Sequence, residues 1–177
     1  MFLNTYHISP ALSSAYLSYV NLPWTPKLLY GIFTDTFPIC GSGKRSYIFI
    51  MGMLQSLACL AIAVRKYDNA STVMWFAVFN SGAGAVMDVV VDGLMVINSR
   101  KDPNFGSEEL QSYSWGFYGL GGIVGCTLSA ILLGPLESPQ TCFFVMAFFG
   151  AAVGISGLFI DPSLEANSAD LVAMSLG

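Results

Sequence analysis

Three ionisable side chains, Lys27, Asp88 and Asp92, stand inside long apolar stretches of this sequence. An Asp or Lys near the centre of a membrane helix costs about 2.5 to 3.5 kcal/mol on insertion scales, so such groups face a partner charge or a water-filled cavity. Asp88 and Asp92 are four residues apart, hence on one helix face. Asn80 and Gly84 continue the spacing, so Asn80, Gly84, Asp88 and Asp92 make one slowly turning stripe on an otherwise apolar helix. Such a stripe lines something polar; the alternative is a purely structural contact between helices.

A rise of about 1.5 Å per residue converts position into depth. Asp92 is eight residues before Arg100, roughly 12 Å from that end of its helix, and Asp88 is about 18 Å in, near the midplane. Lys27 is eight residues before Asp35, again roughly 12 Å in. Equal depth predicts that Lys27 pairs with Asp92 and leaves Asp88 as the deeper, freer carboxylate. The alternative for Lys27 is snorkelling, for which its stem at that depth is barely long enough.

The elements that must position these residues follow from composition. Of 177 residues, 54% are apolar and 10% charged, against roughly 25% charged in a soluble domain; mean hydropathy is +0.63. Disordered chains are apolar-poor, which excludes that class. A net charge of −4 leaves no basic surface for a phosphate backbone, so no nucleic-acid partner is expected. The remaining class is an all-α polytopic membrane protein, with the lipid bilayer as its first partner.

Turn residues and charges divide the chain into five spans, at about 11–33, 46–64, 71–98, 110–133 and 141–160, followed by a polar tail or linker at 163–177. The first contains Pro23 and Pro26 in mid-membrane, each removing a backbone donor and bending the helix. Such a break suits a moving or cavity-lining helix, where neighbours or water satisfy the freed carbonyls; a static kink is the alternative. Lys44, Arg45, Arg100 and Lys101 lie after spans one and three, against Arg65 and Lys66 after span two. This bias puts the loops at 35–45 and 100–109 on the cytoplasmic side or its equivalent. Asn69-Ala70-Ser71 is a glycosylation sequon on the opposite side.

Small residues recur at four-residue spacing as Gly121, Gly125 and Ser129 in the fourth span and as Gly150 and Gly154 in the fifth, which predicts close helix packing there. The GLGGIVG run lacks the register of a dinucleotide loop and has no strand before it. Tyr113, Trp115 and Tyr118 suit interfacial anchoring or stacking on an aromatic ligand. Cys40, Cys59, Cys126 and Cys142 lack the spacing of a zinc site, His7 is the single histidine, and neither metal nor cofactor is expected. The first ten residues, MFLNTYHISP, carry no basic region followed by an apolar core and so do not resemble a cleavable signal. The sequence holds no nucleophile–base pair or phosphate loop, so no enzyme is expected and no catalytic residue is assigned.

Two runs then carry a resemblance. LPWTPKLLYGIFTDTFPICGSGKRSYI, from Leu22 to Ile48, and MDVVVDGLMVINSR, from Met87 to Arg100, resemble the second helix with its following loop and the fourth helix of the folate-biopterin transporter family, within the major facilitator superfamily. The resemblance covers about residues 8–160. It implies that the five spans correspond to helices two to six of a twelve-helix fold, so that residues 1–162 would be part of an N-terminal half. Gly31, Asp35, Gly41, Lys44 and Arg45 would correspond to the superfamily's loop motif, latching the cytoplasmic side with Arg100. Lys27, Asp88 and Asp92 would be cavity-facing charges, with Asn80 on the same pathway.

The implied substrates are folates, pterins or related organic anions moved with protons, Lys27 anchoring negative charge and Asp88 or Asp92 carrying the proton. The implied partners are that substrate and the remaining transporter helices. A first helix and a second half are not found, and alternating access needs two halves rocking about a midplane site. The competing expectation is therefore a non-transporting structural subunit among neighbouring membrane subunits. The membrane itself, plasma membrane or an organelle such as a plastid, stays open.

Overall fold

The computed structural model describes residues 6–39, 44–65, 69–99, 106–133 and 139–160, and these are helical almost throughout. The helices are α1 (Pro10–Asn21), α2 (Lys27–Thr36), α3 (Lys44–Val64), α4 (Ala70–Ser99), α5 (Gly106–Leu133) and α6 (Pro139–Gly157), with a single 3-10 turn, Leu22–Trp24, between α1 and α2. The last four are each long and apolar enough to cross a membrane. The first expected span is present as α1, the 3-10 turn and α2 in succession.

Local chemistry explains the break. α1 starts where Ser9 caps it, the Leu12 N–H donating to Ser9 Oγ at 3.3 Å, with Pro10 at the first helical position, where its missing donor costs nothing. Pro23 and Pro26 cannot donate, so the ladder tightens: the Leu22 N–H reaches the Tyr19 carbonyl and the Thr25 N–H reaches the Leu22 carbonyl at 3.0 Å. Helix resumes at Lys27 with Pro26 as its N-cap. Pro23 lies against Gly82 of α4, where an added Cβ would stand 3.6 Å from the proline ring.

α4 is the central helix. α1, the 3-10 turn and α2 pack on it, as do α3 and, more sparsely, α5. Tyr47, Ile48 and Val90 are the buried centre between α3 and α4, flanked by Met51, Val86, Met87 and Leu94. The most extensive contact joins α3 to α6, and its cause is glycine. An added Cβ on Gly52 would meet Gly154 Cα at 2.5 Å and the Gly150 carbonyl at 3.0 Å. With side chains absent there the two backbones touch, and Ser56 Oγ donates to the Ala147 carbonyl at 2.7 Å.

Gly121 and Gly125 depart from the packing expectation. Added Cβ atoms there, and on Gly116, Gly119 and Gly122, would meet nothing within 4 Å. Among its described residues α5 buries none. Its four-residue spacing makes a smooth surface on which no described helix of this chain closes, whereas Gly150 and Gly154 meet a glycine on the facing helix.

Candidate functional site

Lys27 is the first residue of α2, a poor place for a cation because the positive end of the helix dipole is there. Two carboxylates on α4 compensate. Lys27 Nζ is in direct ion-pair contact with Asp88 Oδ2, and lies 3.5 Å from Asp92 Oδ2. The Asp88 oxygen in that contact is shielded from solvent, although the side chains as wholes are 41% exposed for Asp88 and 54% for Asp92.

This reverses the expected order of partners. Residue counting compares Cα depths, but helical side chains lean toward the helix N-terminus. α2 and α4 both run toward the end that carries Thr36 and Ser99, so the long lysine stem reaches one turn deeper than its own Cα and meets Asp88 first. Asp92 is therefore the looser carboxylate.

The 3-10 turn completes the cluster. Trp24 Nε1 donates to Ser81 Oγ of α4 at 3.0 Å, which fixes the indole, and Lys27 Nζ lies 5.7 Å from the centre of that ring. A cation over an indole face gains about 0.5 to 2 kcal/mol according to its exposure to water. The proline break thus places an aromatic ring and a cation on the same face.

These groups form one wall of a cavity of about 540 Å³. Met95, Val96 and Ser99 continue it along α4 toward the helix end, and Ser107, Leu110, Gln111, Ser114, Trp115 and Tyr118 of α5 make the opposite wall. The volume falls in the range of small-molecule sites. With both carboxylates ionised, one lysine leaves the cluster with net charge −1, so an anion is repelled unless a carboxylate takes a proton.

Asn80 does not join this wall. Its side-chain oxygen accepts from Cys59 Sγ of α3 at 3.3 Å, and an added Cβ on Gly84 would face Gln55, also on α3. The reason is geometric: each four-residue step overshoots a turn by about 40°, so Asn80 is about 120° round the helix from Asp92.

The proposed latch residues divide. Lys44 Nζ lies 3.3 Å from Asp35 Oδ1, joining the start of α3 to the end of α2. The lysine crosses α4 at Gly93, where a Cβ would overlap Lys44 Nζ. Arg45 Nη2 instead donates to the Leu158 carbonyl beyond α6 at 2.6 Å. Gly31 packs normally against Val89 of α4; Gly41 and Arg100 lie outside the described residues. Sequence reasoning missed Gly93 and Gly52. The Gly52 and Ser56 spacing carried the small-residue signal for the second, while nothing in the sequence marked the first.

The model of the BT1 family matches residues 1–172. The chain belongs to the BT1 family. Its similarity extends to a folate-biopterin transporter of Synechocystis sp., 33% identical over an alignment 156 residues long, with 84% of this chain and 31% of that protein covered. Two probable folate-biopterin transporters of Arabidopsis thaliana are similar too: number 2 at 30% identity, covering 91% of this chain and 32% of the relative, and number 6 at 29%, covering 86% and 30%. The chain therefore spans about a third of the length of these relatives. No solved structure matches it. Several membrane-length helices in a family of named transporters make this a multi-pass integral membrane protein.

Proposed function

We propose that this chain supplies the Lys27, Asp88 and Asp92 wall of a proton-coupled transporter for folate- or pterin-like organic anions. The observation that carries the reading is a lysine shared by two carboxylates on the wall of a cavity of ligand size, in a chain whose relatives are named for folate and biopterin transport. Lys27 anchors the ligand's negative charge. Asp92, the looser carboxylate, takes the proton that brings the cluster from −1 to neutral and so permits an anion to bind. Asp88 holds Lys27 when the site is empty.

On this reading residues 1–162 are a transmembrane unit of one half of the transporter and 163–177 a tail or linker. Asp35 and Lys44 brace its cytoplasmic end, with Arg45 tying α3 to α6 beside them. The test is uptake of labelled folate by the complete transporter carrying Lys27→Ala, Asp88→Asn or Asp92→Asn. Loss of uptake in the first and loss of pH dependence in the last are expected. Uptake and pH dependence intact in all three would defeat the reading.

A second reading, a non-transporting subunit of a larger membrane assembly, is favoured by α5, whose glycine face meets nothing among the described residues. Stoichiometric recovery of the chain in a purified multi-subunit complex, with no folate uptake, would select it.

A further inference from the structure

We propose that Trp115 and Tyr118 of α5 form an aromatic subsite that stacks the fused, planar nitrogen heterocycle of the ligand, facing the charged cluster that holds its anionic end. The proposal rests on the transport reading and adds the recognition of one part of the ligand.

Both side chains line the cavity on the wall opposite Lys27, Asp88 and Asp92. Their rings meet edge to face, with centroids 5.8 Å apart at 76°, an arrangement that leaves ring faces uncovered. Trp115 is 66% and Tyr118 76% exposed, on a helix with no buried residue, so the core of this chain does not account for them. Trp24 also lines the cavity, but its indole is held by Ser81 and has Lys27 over one face, which commits it to the charged wall.

Depth separates stacking from interfacial anchoring. Trp115 is nine residues beyond Gly106, roughly 13 Å along α5, and Tyr118 roughly 18 Å. From the same end, Asp92 and Asp88 are seven and eleven residues before Ser99, roughly 10 and 16 Å. The aromatic pair is level with the carboxylates. A planar ring with N–H groups on its edge can lie against Trp115 and Tyr118 by its face while those N–H groups donate to a carboxylate opposite. Stacking on an aromatic side chain tolerates ring variation, since every such ring has a π-face.

The test is equilibrium binding to the complete transporter in lipid nanodiscs with three probes: folic acid, pterin, which lacks a carboxylate tail, and N-acetylglutamate, which lacks the ring. Trp115→Leu is expected to weaken folic acid and pterin about tenfold and to leave N-acetylglutamate unchanged, while Trp115→Phe retains all three. Lys27→Ala should show the converse, losing N-acetylglutamate and sparing pterin. Unchanged folic acid and pterin binding in Trp115→Leu and Tyr118→Leu, with Lys27→Ala still defective, overturns the subsite and leaves the transport reading standing. Equal loss of all three probes in Trp115→Leu, showing a structural role, also overturns it. No binding of any probe by the unmodified protein removes the transport reading and the subsite together.

Discussion

Asp92→Asn is the perturbation whose consequence follows most directly from the charge arithmetic of the cluster. Lys27 Nζ lies 3.5 Å from Asp92 Oδ2, so a ligand carboxylate on the far side of the ammonium sits roughly 6 Å from the Asp92 charge. At that separation and an effective dielectric of about 20, the repulsion is about 3 kcal/mol. Asp92 is 54% exposed to the cavity, and water screening lowers the figure by about half. Each 1.4 kcal/mol is a factor of about ten. Asparagine keeps the shape and removes the charge, so anion binding at neutral pH should tighten about tenfold.

The sign with pH follows. With the coupling proton assigned to Asp92 as proposed, anion binding by the unmodified protein is expected to strengthen on acidification, and binding by Asp92→Asn to be high already and flat with pH. The assay is labelled folate binding to the complete transporter in nanodiscs at acidic and neutral pH, with proton-driven accumulation by cells expressing it measured in parallel and expected to be lost. A variant that keeps the original pH dependence, or that binds more weakly at neutral pH, refutes the assignment of the proton to Asp92.

Three further outcomes follow from the geometry. Lys27→Asp alone should lower expression and Lys27→Asp with Asp88→Lys should restore it, since the two side chains are in contact; no rescue in membrane yield would contradict that pairing. Gly52→Ala should destabilise the α3–α6 contact by about 1 to 3 kcal/mol, because the new Cβ would fall 2.5 Å from backbone, read as a lower midpoint in detergent melting; an unchanged midpoint would show that the helices separate freely. Gly93→Ala should leave that midpoint nearly unchanged, since the group it displaces is the far end of a flexible lysine and an ion pair whose acidic partner is 62% exposed contributes only about 0.2 to 1 kcal/mol, while abolishing the coupling between Asp35 and Lys44 in a double-mutant cycle.

The membrane helices and the chemically unusual residues were legible for one reason: lipid penalises polar groups so strongly that exceptions stand out. The apolar run at 46–64 reappears as α3, Lys44–Val64, and Pro23 with Pro26 marked the break between α1 and α2. Relations between helices were less legible. Depth counting chose Asp92 for Lys27 because it ignores the lean of the side chain, and the four-residue stripe carried Asn80 off the cavity because of the angular overshoot. Glycine spacing predicts a surface that can be approached closely, not whether this chain supplies what approaches it, hence the contrast between Gly150 with Gly154 and Gly121 with Gly125. Gly93 had no sequence signal, since only the path of the Lys44 side chain gives it a purpose.

Whether Lys27 holds the ligand's negative charge is read from equilibrium binding of folic acid to the complete transporter in nanodiscs at acidic pH, comparing the unmodified protein with Lys27→Ala and Lys27→Arg. A loss of about tenfold or more is expected in Lys27→Ala, as for removing one partner of a charged hydrogen bond, with much of the affinity kept by Lys27→Arg. Equal affinity in Lys27→Ala and the unmodified protein would contradict the account.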